Sequence, residues 1–272
     1  CRLSIDTLQW LLQAVFRLEL SQGEIINILD AVAAHGREQM ATIREALRSA
    51  PVVHGDETTW RENGQNGYFW SFSTPRLCYF EYRHSRSKQI VQDVMGVSPR
   101  VTLVSDFYGA YNCHAGPHQR CWAHLLRAVH ELKERYPAEK ELEAWAKAVH
   151  ALYLEACACR ERLRTAPLID RYHASRQFEA RLLELCAPFL SEDAPQHKLC
   201  RRCHRFRKQL FRFVLDPRVP PDNNPAERVI RPLAVTRKIS GGTRSPKGSE
   251  TKGTLASLFG TWRLQGLHPL VA

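Results

Sequence analysis

The strongest constraint on this sequence is a change of texture along the chain. Between Pro51 and Asp106, short apolar runs are separated by turn residues, whereas from His118 to about Pro217 the pattern is almost wholly helical. In the first stretch, Val52 and Val53 lead to His54-Gly55-Asp56. Asn63-Gly64-Gln65-Asn66-Gly67 is a strong turn signal, and Tyr68 to Ser73 is aromatic and strand-like. Leu77 to Tyr82 reads as a third strand, Ser87 to Met95 as a short helix, and Val101 to Ser105 as a fourth strand ending at Asp106.

Three strands, a helix and a further strand in this order are expected of an α/β, RNase H-like core. The helical block is then a large all-helical insertion. Within it, Leu125, Leu126, Val129 and Leu132 share one face, and further helices are expected over Glu139 to Arg164, Tyr172 to Leu190 and Lys198 to Phe213. The first fifty residues form an N-terminal helical segment. Leu8, Leu11, Leu12, Val15 and Phe16 recur at helical spacing, and Ser21 with Glu24 is a capping-box signature. Ile25, Ile26, Ile28, Leu29 and Val32 make the next apolar face, stopped near Gly36. The pair matches a DNA-reading helix-turn-helix or a plain helical hairpin, and its second helix carries little positive charge. The expected segments are 1–50 (helical), 51–117 (first part of the core), 118–221 (helical insertion) and 222–272 (rest of the core, with a Glu-bearing helix). The chain begins at Cys1 without a basic leader and apolar stretch, and reads as a fragment of a longer protein.

Composition narrows the partners. Lys and Arg number 39 against 28 Asp and Glu, a net charge of +11, which favours a polyanion because such side chains neutralise phosphates and release counterions. The excess is concentrated from Lys198 to Arg212 and from Arg228 to Lys252. No apolar run approaches the roughly 18–20 residues of a membrane span, so no membrane partner is expected. Nine cysteines in a chain without an export signal suggest reduced thiols and a cytoplasmic setting.

Asp56 and Asp106 are each read as following a hydrophobic strand. If the strands are neighbours, both carboxylates leave the same end and their repulsion favours a divalent cation, with hard oxygen donors suited to Mg²⁺ or Mn²⁺. Taken alone, each is more simply explained as a turn residue bonding the backbone, and only the pair points to a metal. Asn224-Pro225 with Glu227 three residues on is a helix start, so Glu227 serves either as a capping acid or as a rigidly held ligand. Lys247 precedes Gly248 where a phosphate-binding P-loop would place it after its final glycine, so no ATP requirement follows. Cys121-Trp122-Ala123-His124 could be half a zinc site. Cys200-Arg201-Arg202-Cys203-His204 formally matches a haem attachment motif but stands in a basic helix, where incidental thiols, or zinc shared with Cys121 and His124, are the alternatives.

Three ordered stretches carry a resemblance. HGDETTWRENGQNGYFW, then LVSDFYGAYN with HQRCWAHLLR, then DNNPAERVIRPLAVTRKISGGTRSPKGSE resemble the insertion sequence 66 family of bacterial transposases. The resemblance implies a DDE transposase with Asp56, Asp106 and Glu227 as catalytic, metal-holding carboxylates and two Mg²⁺ (or Mn²⁺) ions as cofactor. It implies cleavage at transposon ends and strand transfer into target DNA, by a homo-oligomer on bacterial nucleoid DNA, with accessory proteins from the same element. Arg228, Arg231, Lys238 and Arg244 become candidates for holding DNA phosphates, and Cys121 and His124 structural supports of the site. A nuclease or resolvase of the same core, cutting without joining, and an inactive DNA-binding remnant are the alternatives.

Overall fold

The computed structural model describes residues 3–191 and 193–269; the outermost residues of the expected first and last segments lie outside them. The described residues form a mixed α/β structure, mostly helical. Its strands are β1 (Val52–Glu62), β2 (Gln65–Ser73), β3 (Cys78–Arg83), β4 (Thr102–Ser105) and β5 (His118–Arg120). In chain order, α1 (Ile5–Phe16), α2 (Gln22–His35) and α3 (Arg37–Ser49) precede the strands, and α4 (Gln89–Met95) separates β3 from β4. After β5 come α5 (Trp122–Arg135), α6 (Lys140–Arg162), α7 (Leu168–Cys186), α8 (His197–Leu210) and α9 (Arg212–Leu215). The chain ends with α10 (Asn224–Ser240) and α11 (Pro246–Gln265). These elements form two compact units. One comprises the chain up to Ser98, Ala110–Cys113 and the chain from Asn224 onward; the other comprises Pro99–Gly109 and His114–Asn223.

The first unit is built on an antiparallel meander. Asn63 and Gly64 both take positive φ, 47° and 79°, in a two-residue turn that pairs Glu62 with Gln65 and suits the twist of the flanking strands. β1 is longer than its apolar run suggests. It passes through Asp56, paired with Ser71, and continues to Glu62, because Thr58, Thr59 and Trp60 find partners along β2. Asp56 therefore lies inside a strand and not after one. Beneath the sheet, Trp60, Phe69 and Phe80 pack with Ile230 and Leu233 of α10.

β3 has an edge to cover, and α11 covers it with hydroxyls. Ser257 Oγ accepts from Phe80 N at 2.8 Å and Thr261 Oγ1 accepts from Cys78 N at 3.1 Å. Alternate outward N–H groups of the strand, costly if buried unpaired, are thereby satisfied. The approach requires small residues: a Cβ on Gly253 would stand 3.2 Å from the Phe80 carbonyl oxygen, and one on Gly260 only 2.3 Å from Cys78 Sγ.

The N-terminal segment is three helices, since Gly36 interrupts the helical run without ending it. The capping box forms as its residues imply: Glu24 N donates to Ser21 Oγ and Ser21 N to Glu24 Oε2. The apolar face expected for α2 does not pack as one. Ile25 is buried while Ile26, Ile28 and Val32 are exposed, and α2 is tied to α11 through Asp30, which takes Lys247 at 2.7 Å and Thr251 at 2.6 Å.

In the second unit, β4 and β5 pair in parallel, Leu103 opposite His118. His118 thus belongs to a short strand and not to the helical block, since β4 offers an edge that a sequence period of three residues cannot announce. The expected helix over Lys198 to Phe213 is two, broken at Phe211. The buried Gln119 amide bridges the break, donating to Leu210 O at 3.2 Å and accepting from Phe213 N at 2.9 Å. Phe178 stacks on Phe211 at 5.7 Å, and Trp122 Nε1 donates to Leu210 O at 2.5 Å.

Ser257→Ala leaves the buried Phe80 N–H without its acceptor, and urea titration should show a loss of about 1–3 kcal/mol in unfolding free energy. An unchanged midpoint would mean that α11 is not what seals β3.

Candidate active site

Asp106 follows β4 immediately, as its sequence position implies, and is held from three sides. Its Oδ1 accepts from Tyr108 N at 2.9 Å, and its backbone carbonyl accepts from Arg120 Nη1 at 2.6 Å and from Ser105 Oγ at 2.9 Å. Oδ2 accepts no hydrogen bond among the described residues. The turn role considered for this residue is therefore real, and it occupies only one carboxylate oxygen.

Arg120, which sequence reasoning passed over, is the organiser. Its side chain is fully buried, with Nε donating to Gln209 Oε1 at 2.8 Å, Nη1 reaching Ser105 Oγ at 3.2 Å, and the guanidinium 4.7 Å from the centre of the Phe206 ring. A buried guanidinium persists only where acceptors and an aromatic face replace water. Ser105 Oγ also lies 2.8 Å from His118 Nε2. Burial, with the nearby Arg120 charge, holds the His118 pKa well below the usual imidazole value, so His118 is neutral here. The one available signal in the sequence was an arginine flanked by Gln119 and Cys121 in a segment that reads as helical.

Asp56 and Glu227 belong to the other unit. Asp56 is partly exposed in β1, and its Oδ1 accepts from Glu57 N at 2.9 Å. Glu227 lies in the first turn of α10, the helix that packs against β1 and β2. Next to Asp56, Glu57 is a second feature missed at the sequence level. Its carboxylate is almost fully buried, pairs with Arg86 and accepts from Tyr111 Oη. Alternation along the strand turns it to the opposite face from Asp56, where it anchors the strand that carries Asp56.

Arg228, Arg231 and Lys238 are exposed and fall within about 80° of one another around α10, and Arg244 is exposed in the following loop. Arg237 points elsewhere, donating to Thr59 O at 2.6 Å. In that loop Gly242 takes φ +122°, and a Cβ there would meet Arg61 O at 2.1 Å, so the loop is fastened to β1 at a position only glycine fits.

The three carboxylates are hard oxygen donors of the kind divalent cations prefer. Among the described residues, no three or more His, Cys, Asp or Glu side chains stand in an arrangement that already encloses an ion. Cys121 is buried, its thiol pushed up to about 11 by that burial, and its Sγ accepts from Asn223 N at 3.1 Å. Cys200 and Cys203 do not turn to Cys121. Their thiols interact with Cys186 at the end of α7, which draws the Cys186 pKa down and pushes theirs up. No helix among the described residues is long and apolar enough to cross a membrane.

His118 yields a pH dependence. A lowered folded pKa means that the unfolded chain binds the proton more readily, so this contribution is present above about pH 6.5 and is lost as pH falls below it. Unfolding free energy measured from pH 7 to pH 5 should drop by up to about 1.4 kcal/mol per unit from this group. His118→Gln should flatten that slope, leaving the smaller part from His114, whose pKa burial also lowers.

Comparison with known proteins places these features. Two uncharacterized proteins of Sinorhizobium fredii are similar: y4jO, 27% identical over 173 residues (63% of this chain, 51% of that protein), and y4qI, 30% identical over 154 residues (55% of this chain, 28% of that protein). The chain spans about half the length of the first and less of the second. The model of the family described as Transposase IS66 family matches residues 5–251, which include both aspartates, Glu227 and the basic face of α10, and the chain belongs to that family.

Proposed function

We propose that this chain is the catalytic part of a DNA transposase with an RNase H-like core interrupted by a helical insertion. Asp56, Asp106 and Glu227 are its reactive carboxylates. The observation that carries the reading is Asp106: a carboxylate at a strand end, its backbone tethered by a buried arginine and a serine, with one oxygen left to a ligand. Family membership and the +11 charge support DNA as the substrate.

The reaction has two displacements. Water attacks phosphorus at a transposon end and the P–O3′ bond breaks, freeing a 3′-hydroxyl. That hydroxyl oxygen then attacks phosphorus in target DNA, forming a new P–O bond and expelling the target 3′-oxygen. Two Mg²⁺ or Mn²⁺ ions, when bound by the carboxylates, supply charge to the attacking and leaving oxygens. The protein's own residues position the strands. Arg228, Arg231 and Lys238 grip phosphates along α10, Arg244 reaches the backbone from the loop, and Arg120 fixes where Asp106 points. The enzyme works on nucleoid DNA in the bacterial cytoplasm as an oligomer that brings two ends together, with help from proteins of the same element.

Cleavage and joining of a labelled transposon-end duplex with Mg²⁺ tests this reading. Asp106→Ala should abolish both steps. Arg120→Gln should retain weak activity, lowered about 10–100-fold as for other residues that orient a metal ligand, with partial recovery at raised Mg²⁺. Cleavage without joining would make the enzyme a nuclease, and full activity of Asp106→Ala would remove the carboxylate site.

A further inference from the structure

The second unit contains a cavity of about 970 Å³ that the reaction described above does not use. It lies among the α6–α7 connection, the start of α7, and α9 with the turn after it. Four arginines line it, Arg164, Arg171, Arg212 and Arg218, against one acid, Asp216. Arg218 is already matched, since its Nε and Nη2 donate to the two Asp216 carboxylate oxygens at 2.9 and 2.8 Å. Arg164, Arg171 and Arg212 also line it and make no close ion pair among the described residues, although the Asp216 charge acts on Arg212 as well. The Nε atoms of Arg171 and Arg212 are buried and have no hydrogen-bond partner among the described residues. Buried donors of this kind call for an acceptor, and the guanidinium fork suits phosphate.

One wall is of a different character. Tyr172, Leu168 and Ile169 sit within the first five residues of α7 with 48%, 63% and 57% of their surfaces exposed, although all three are large and apolar or aromatic. A cationic cavity beside an exposed aromatic ring is the combination that binds single-stranded nucleic acid, with phosphate on the arginines and a base against the ring. Apart from Thr165, the side chains around the cavity are charged, apolar or the Tyr172 phenol, with no amide to read base edges. That favours a strand held without regard to sequence over a free nucleotide recognised by its base.

We propose that this cavity receives an unpaired nucleotide of a DNA strand, its phosphate on Arg171 and Arg212 and its base on Tyr172. The proposal rests on the reading of the chain as a DNA-processing enzyme and extends it to a second site, formed wholly by the helical unit. Unpaired nucleotides at a processed DNA end are the natural occupants.

Fluorescence anisotropy of the full chain with a labelled short oligothymidylate, in EDTA, tests the site independently of the carboxylates. Tyr172→Ala should weaken binding about tenfold with the salt dependence unchanged, and Tyr172→Phe should restore it. Arg171→Gln should weaken binding and reduce the slope of log affinity against log salt by about 0.7, whereas Arg135→Gln, a charge change on exposed α5 surface, should leave the Tyr172 effect intact. A blunt duplex of equal length should be insensitive to Tyr172→Ala. The proposal is overturned if Tyr172→Ala binds the oligomer as the wild type does, if duplex and single strand lose affinity equally, or if thymidine monophosphate binds and the oligomer does not. Loss of strand joining in Asp106→Ala bears only on the carboxylates.

Discussion

A guanidinium buried without water has to be surrounded by acceptors, and in the second unit that requirement shapes the neighbourhood of Asp106. Arg120 reaches Ser105, the Asp106 carbonyl and Gln209 of α8, and lies on the Phe206 ring. Removing any one acceptor would leave part of a buried charge uncompensated, a cost of several kcal/mol, so β4, β5 and α8 hold their arrangement together. Burial, with the Arg120 charge, keeps His118 neutral, and the bonds to the Asp106 carbonyl fix the backbone from which its carboxylate projects. Positioning of the acid proposed to react is here a by-product of burying a cation.

The first unit solves an analogous problem with neutral groups. β3 presents N–H groups that would template further strand pairing, and Ser257 and Thr261 of α11 take them up. Glu57, buried against Arg86 and Tyr111, fixes the strand that carries Asp56. Asp56 and Asp106, two of the carboxylates proposed to react, are each only partly buried, and a residue with a more deeply buried side chain near each, Glu57 or Arg120, does the anchoring.

Much of this was legible from residue order. The Asn63-Gly64 turn, the Ser21–Glu24 cap, the short helix before β4 and the helix opened by Asn224-Pro225 all follow from local preference, because turn and cap geometry involves residues within four positions of one another. The Asp106 and Glu227 positions were readable for the same reason. Where local signals misled, long-range partners were responsible. β1 runs through Asp56 because β2 lies beside it, His118 is a strand residue because β4 has an open edge, and Ile25 is buried while Ile26, Ile28 and Val32 stay exposed, a division set by what packs against α2.

The sequence by itself determined the change from strands to helices, the basic surplus, the three ordered motifs and hence the family. Each is a property of residue types and their spacing. Only the tertiary structure decided that Arg120 and Glu57 are the anchors, that Cys200 and Cys203 turn to Cys186, and that arginines from three separate segments line one cavity beside Tyr172. Those facts join residues tens of positions apart, and no local period or cap encodes a contact that exists only once a core has been buried.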